Sequence, residues 1–82
     1  MENKLCFVSV EFENDPNVKG YTYWYLCNDI NVAEGDSVIA PLGRHNNEQV
    51  GTVRRVRFEC EKNAPYPMMY IKKIRTVIKT RG

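Results

Sequence analysis

One histidine and three cysteines in 82 residues leave little material for site chemistry. Cys6, Cys27 and Cys60 are odd in number and fall in no Cys-x-x-Cys or Cys/His ligand spacing, which argues against a disulfide framework and a zinc site. They read as small buried hydrophobes, and a reducing cytoplasm is the expected location. His45 stands alone in a polar loop beside Arg44, Asn46 and Asn47 and reads first as a solvated loop histidine and second as a phosphate or base contact at a loop tip. The chain has no nucleophile elbow, no phosphate-cradling glycine-rich loop and no acid pair with acid/base spacing. The expectation is a protein without catalytic residues, metal or cofactor. No apolar run approaches the roughly 18 residues of a membrane span, and no apolar segment follows Met1 to Lys4, so no membrane partner is expected.

A chain of this length buries only about 60 to 65% of its unfolded surface. It fits one domain over residues 1–82, with a modest core and little room for a deep pocket. What the sequence does hold is a divided charge. The net +2 conceals two lysines against seven acids in residues 1–40, and ten Lys or Arg against three acids in residues 41–82. A basic half attracts polyanions, nucleic acid first. The same lysines and arginines, set at exposed strand positions, would also protect sheet edges from aggregation.

Local patterning predicts strands throughout. From Leu5 to Glu13, Cys6, Val8, Val10 and Phe12 alternate with Ser9, Glu11 and Glu13, the period of a half-buried strand, and Asn14-Asp15-Pro16-Asn17 breaks it. Gly20 to Cys27 is a second strand rich in aromatics on both faces, followed by a connection pinned by Ile30 and Val32. A Gly35-Asp36 turn launches a third strand, Ser37 to Ala40, ended by Pro41. After the loop Gly43 to Glu48, a fourth strand returns from Gln49 to Phe58, the grammar of a β-hairpin. Its apolar side changes phase between Val53 and Val56, which predicts a β-bulge that re-aims the arginines. Ala64-Pro65-Tyr66-Pro67 forbids a regular strand and leads into a helical turn over Met68 to Lys72. A fifth strand is expected from Lys73 to Thr80. The fold class is therefore mainly β: a small barrel or curled sheet of about five strands with one short helical turn.

The candidate contacts follow from charge and aromatics. Arg54, Arg55 and Arg57, then Lys72, Lys73 and Arg75, then Lys79 and Arg81, would form one phosphate-binding surface if the last strand lay beside the fourth. Tyr21, Tyr23, Trp24 and Tyr25 offer faces on which unpaired bases stack, with Trp24 and at least one tyrosine also expected in the core. Tyr66, Met68 and Met69 read first as a cap over an open barrel end and second as an adaptable protein-binding surface.

The order of a strand, an aromatic strand, Val-x-x-Gly-Asp-x-Val-x-x-Pro-Leu-Gly over Val32 to Gly43, a polar loop, Val-Gly-Thr-Val-x-x-Val over Val50 to Val56 and a proline-containing turn into Ile-Lys-Lys-Ile over Ile71 to Ile74 covers most of the chain. It resembles the N-terminal 3′-end-binding domain of PriA-type primosomal helicases. That resemblance implies a β-rich, non-enzymatic module that recognises the terminal nucleotide of a DNA strand at replication or repair intermediates. As a stand-alone module it is of the kind a phage or mobile element would carry. The family's Pro-Phe-Gly becomes Pro41-Leu42-Gly43, so Gly43 would lie at the terminal nucleotide, and Lys72 would match the family lysine. The family's Phe-Asp-Tyr corresponds to Tyr21-Thr22-Tyr23 only with a one-residue shift, and its aspartate has no counterpart. A second resemblance, to PSP-type cytoplasmic domains, rests on the Gly-Asp-x-Val pattern.

Two functions are thus expected. The first is nucleic-acid binding, with DNA favoured, through Gly43, Arg44, Arg54, Arg55, Arg57, Lys72, Lys73, Arg75, Tyr21 and Tyr23. The alternative is a protein partner recruited by the Tyr66 to Tyr70 segment or by a strand edge.

Overall fold

The alternation of Cys6, Val8 and Val10 with Ser9 and Glu11 produces strand β1 (Leu5–Glu11), which lies inside the sheet. The computed structural model describes residues 4–78. Five further strands follow: β2 (Thr22–Cys27), β3 (Ser37–Leu42), β4 (Asn47–Glu59), β5 (Lys72–Lys73) and β6 (Thr76–Ile78). Two short 3-10 turns, Glu61–Asn63 and Met68–Tyr70, interrupt the connection from β4 to β5. The strand order β5-β2-β1-β4-β3-β6 describes one mainly antiparallel sheet, curled into a half-barrel. Val8, Val10, Phe12, Val38 and Val53 are fully buried on its inner side with Cys6, Tyr25, Cys27 and Ala40. Each fully buried Val or Phe contributes about 1.5–3 kcal/mol relative to exposure, so this cluster carries the fold.

The predicted bulge is present. Ser9 faces Arg55 and Val10 faces Val53, leaving Arg54 as the extra residue of β4. The bulge lets Val53 and Val56 both point inward despite their odd spacing, and it sends Arg54 and Arg55 to the outer side. One turn of chain earlier, Gly51 sits where a Cβ would lie 2.5 Å from Val10 Cγ1 and 3.0 Å from the Glu11 carbonyl oxygen. The curl is tight there because residue 51 has no side chain.

Four expectations are corrected. Pro41 does not end β3, which pairs with β4 as far as Leu42 and Asn47. The Ile39 carbonyl accepts from Arg75 N–H and so points away from β4. By the period of two, the Pro41 nitrogen points the same way, beyond the end of β6, where no ladder bond is lost. Secondly, the C-terminal segment is two strands and not one. β5 runs parallel to β2, and β6 runs antiparallel to β3 rather than beside β4. Consecutive amides make the switch: Ile74 N–H donates to Leu26 O and Arg75 N–H to Ile39 O, each at 2.8 Å. In an extended chain neighbouring amides point opposite ways, so one segment serves both edges of the curl and covers them. Thirdly, the connection after β2 is pinned by Val32 alone, since Ile30 is 72% exposed. Finally, the helical turn expected over Met68 to Lys72 stops at Tyr70, because Lys72 already belongs to the parallel ladder.

Candidate functional site

Beyond the bulge, the inward positions of β4 read Val53, Gly51, Gln49, Asn47, so the inner side turns polar toward the β3–β4 hairpin. A cleft of about 430 Å³ opens at that end of the half-barrel. Tyr23, Tyr25, Tyr66 and Tyr70 form its aromatic wall, and Trp24 also contributes to the lining. Tyr25 donates its hydroxyl to the Pro41 carbonyl at 2.8 Å, and Phe12 packs edge-on to it at 6.1 Å between ring centroids. Burial raises the Tyr25 hydroxyl well above the ordinary tyrosine range, with Tyr23 and Tyr66 adding to the effect. It therefore remains a donor. Tyr23 is only half-buried and presents ring surface to the cleft, while Tyr66 accepts the Trp24 N–H at 3.3 Å through its hydroxyl.

Lys72 enters beside that wall, from β5. Its parallel pairing with Tyr25 puts both side chains on the inner side, whereas Lys73 points outward. Lys72 Nζ donates to the Gly43 carbonyl at 2.6 Å. Gly43 has φ of +78°, a left-handed conformation that side-chain-bearing residues adopt at a cost, and this turn aims its carbonyl at the lysine. The ammonium has three donors, of which one is used, and no carboxylate lies within ion-pair distance of it among the described residues. On another side Asp15 enters the cleft from the β1–β2 loop. One of its oxygens accepts the Asn17 N–H at 3.0 Å and the other accepts Gln49 Nε2 at 3.3 Å. The cleft thus has an aromatic surface from β2 and the Tyr66 to Tyr70 segment, a cation from β5 and a carboxylate from the β1–β2 loop.

The sequence-predicted residues divide into separate groups. Gly43, Lys72 and Tyr23 meet in the cleft, and Arg44 follows Gly43 in the exposed hairpin loop with His45. Tyr21 is 66% exposed before the start of β2 and does not line the cleft. The β4 arginines lie on the outer side, opposite in face to Lys72. Arg54 is held at 2.8 Å by both Glu11 and Glu13, Arg57 lies 3.1 Å from Glu59 and 5.6 Å from the Trp24 ring centre, and Arg75 lies 3.1 Å from Glu48. Arg55 and Lys73 are exposed and form no ion pair among the described residues. In register, Lys73, Leu26, Phe7 and Arg57 form one row across β5, β2, β1 and β4. The basic set therefore makes an outer track and an inner cleft rather than one surface, because the last strand lies beside β3. Lys79 and Arg81 fall outside the described residues. Trp24 is half-buried on the outer side rather than in the core cluster.

A comparison with protein-family models, curated proteins and solved structures finds no match to this chain. Among the described residues no helix is long and apolar enough to cross a membrane, and no group of three His, Cys, Asp or Glu side chains is placed to hold a metal ion.

Asp15 and Gln49 escaped the sequence reading, and Tyr66 and Tyr70 read there as a barrel-end cap or protein-binding segment rather than as walls of a cleft. Gln49 carried a signal: a polar residue in phase with Gly51 and Val53 marks an inward position that faces an opening rather than core. Asp15 carried none, since its residues read as a turn and only the return of β4 brings Gln49 against it.

Proposed function

We infer that this protein is a non-enzymatic nucleic-acid-binding module that holds one unpaired nucleotide, at the 3′ end of a DNA strand, in the cleft beside β5. The observation that carries this reading is the 2.6 Å contact between Lys72 Nζ and the Gly43 carbonyl beside the accessible face of Tyr23. These two residues are 29 positions apart, and they are the pair that the resemblance to the 3′-end-binding domain selects. Lys72 keeps two donors for a phosphate oxygen, and Tyr23 offers a ring for the base, a contact worth about 1–3 kcal/mol per base. Arg44 at the hairpin and Arg55, Arg57 and Lys73 on the outer side supply further phosphate contacts for the strand that leads away. Arg54, Arg57 and Arg75 contribute less than Arg55 and Lys73, as each already has a carboxylate partner.

Fluorescence anisotropy with a short single-stranded DNA tests this reading, comparing a free 3′-hydroxyl with a 3′-phosphate at two salt concentrations. Tighter, salt-sensitive binding to the hydroxyl end supports it. Equal binding reduces the site to a generic basic surface, and no binding at low salt removes nucleic acid altogether. A second reading rests on Met69 and Tyr70, which are 81% and 70% exposed on the 3-10 turn. A protein partner docked there would be lost on Met69→Asp and would survive moderate salt; DNA binding is expected to do the reverse.

A further inference from the structure

We propose that Asp15, held in place by Gln49, reads the Watson–Crick edge of the nucleotide in the cleft and makes the site prefer guanine. The inference rests on the nucleotide-binding reading and adds base selectivity to it. The cleft is electrically polar: Lys72 and the carboxylate of Asp15 both line it and do not form an ion pair with each other. A phosphate is drawn to Lys72 and repelled by Asp15, so the base is directed toward the carboxylate. An ionised carboxylate only accepts hydrogen bonds, and it has about four lone-pair sites. Two are taken, by the Asn17 N–H and by Gln49 Nε2, one on each oxygen. Each oxygen therefore keeps one acceptor site, and the two hydrogen bonds already made fix the plane of the group. Gln49, whose Nε2 faces Asp15, leaves its amide oxygen as another acceptor on the same wall.

Two parallel acceptors select among the bases. The Watson–Crick edge of guanine carries two adjacent donors, N1–H and the N2 amino group, which match the two carboxylate oxygens. Adenine and cytosine each place a ring-nitrogen lone pair beside their single amino donor, and that lone pair would oppose an oxygen. Thymine has one donor between two carbonyl oxygens. The edge is accessible only in an unpaired base, so the same contact excludes duplex DNA. A bidentate match of this kind is expected to favour guanine by about tenfold or more.

The test uses the full chain and labelled oligothymidylates of about ten nucleotides whose 3′-terminal base is guanine, hypoxanthine, adenine, cytosine or thymine. The expected result is tightest binding to terminal guanine, a loss of about tenfold for hypoxanthine, which lacks only the N2 amino group, and no guanine preference in Asp15→Asn. That variant retains the side-chain oxygen that accepts from Asn17 but replaces the second acceptor by a donor. Equal affinity for all five ends, or a guanine preference that persists in Asp15→Asn, overturns base reading and leaves the nucleotide cleft standing. Failure of every oligonucleotide to bind at low salt overturns both. If Asp15→Asn does not fold, judged by its melting transition, Gln49→Met takes its place: it releases the carboxylate and is expected to reduce the preference, and an unchanged preference overturns the proposal.

Discussion

The Tyr25 hydroxyl, on β2, donates to the carbonyl of Pro41, on β3, and so ties the two flanks of the curled sheet together at the floor of the cleft. Tyr25→Phe leaves the Pro41 carbonyl without that donor and is expected to cost about 1–2 kcal/mol, a fall in melting temperature on the order of 5–10 °C. Circular-dichroism melts of the two proteins decide this. An unchanged midpoint would mean that the carbonyl finds water at no cost.

Alkaline pH acts on the same core. Tyr25 in the folded chain has its hydroxyl raised by burial, and Cys6 is pushed from the ordinary 9.0 up to about 11, by burial first and then by Cys27 and Asp29. For groups raised in this way the folded state holds its protons longer than the unfolded state. Their contribution is complete below the unfolded values and is lost as pH rises. Stability should therefore decline from about pH 9, through the Cys6 window of 9 to 11, and further above pH 10 as unfolded tyrosine ionises. Cys6→Ala, although less stable at pH 7, should lose less between pH 8 and 10 than the parent. Parallel slopes in melts across that range would remove Cys6 as the cause.

Gly51→Ala is expected to destabilise the fold by about 1–3 kcal/mol, since the new methyl meets Val10 Cγ1 at 2.5 Å and the backbone oxygen of Glu11 at 3.0 Å. The valine can change rotamer, but the carbonyl belongs to the β1–β4 ladder. A chemical-denaturation midpoint within error of the parent would show that the strands separate freely at this point.

The arginines of β4 should not be equivalent. Arg55→Ala is expected to weaken single-stranded DNA binding and reduce the slope of log affinity against log salt by about 0.7, the value of one lost phosphate contact on a single strand. Arg54→Ala should change that slope less, because Glu11 and Glu13 already neutralise the guanidinium. Equal slopes for the two variants would deny the ion pairs any role in binding.

Lys72→Ala tests the cleft and Lys73→Ala the outer track, with their side chains on opposite faces of β5. Each should weaken binding and flatten the salt dependence, and the pair together should do so most. Lys72→Ala alone should also erase any distinction between a 3′-hydroxyl and a 3′-phosphate end. If Lys73→Ala erased it instead, the terminal nucleotide would lie on the outer side of the sheet.

Most of the fold was legible because strands announce themselves locally. The period of two in Leu5 to Glu13, the turn chemistry around Gly35-Asp36 and Gly43, and the phase change at Val53 to Val56 each predict a feature that is present. The C-terminal segment was not legible in the same way. Ile74, Thr76 and Ile78 alternate as one strand would, and nothing local reveals that the two amides between β5 and β6 answer to different edges. Pro41 misled because a strand tolerates proline wherever its nitrogen faces no partner, a condition set by where β6 ends.

Local patterning specifies a mainly β chain with a bulged, arginine-bearing strand, and a motif singles out Gly43 and Lys72. Local sterics, hydrogen-bonding capacity and hydrophobic periodicity act over a few residues and can be read from them. Tertiary packing alone sets that the lysine at 72 points inward while its neighbour points outward, that Arg54 is neutralised by Glu11 and Glu13, and that Gln49 holds Asp15 at the cleft wall. Those are relationships between segments distant in the chain, fixed by the register of β1 against β4 and by the closure of the curl through Ile74 and Arg75. A change of one residue in either register would reverse the faces and dismantle the site without altering any local propensity.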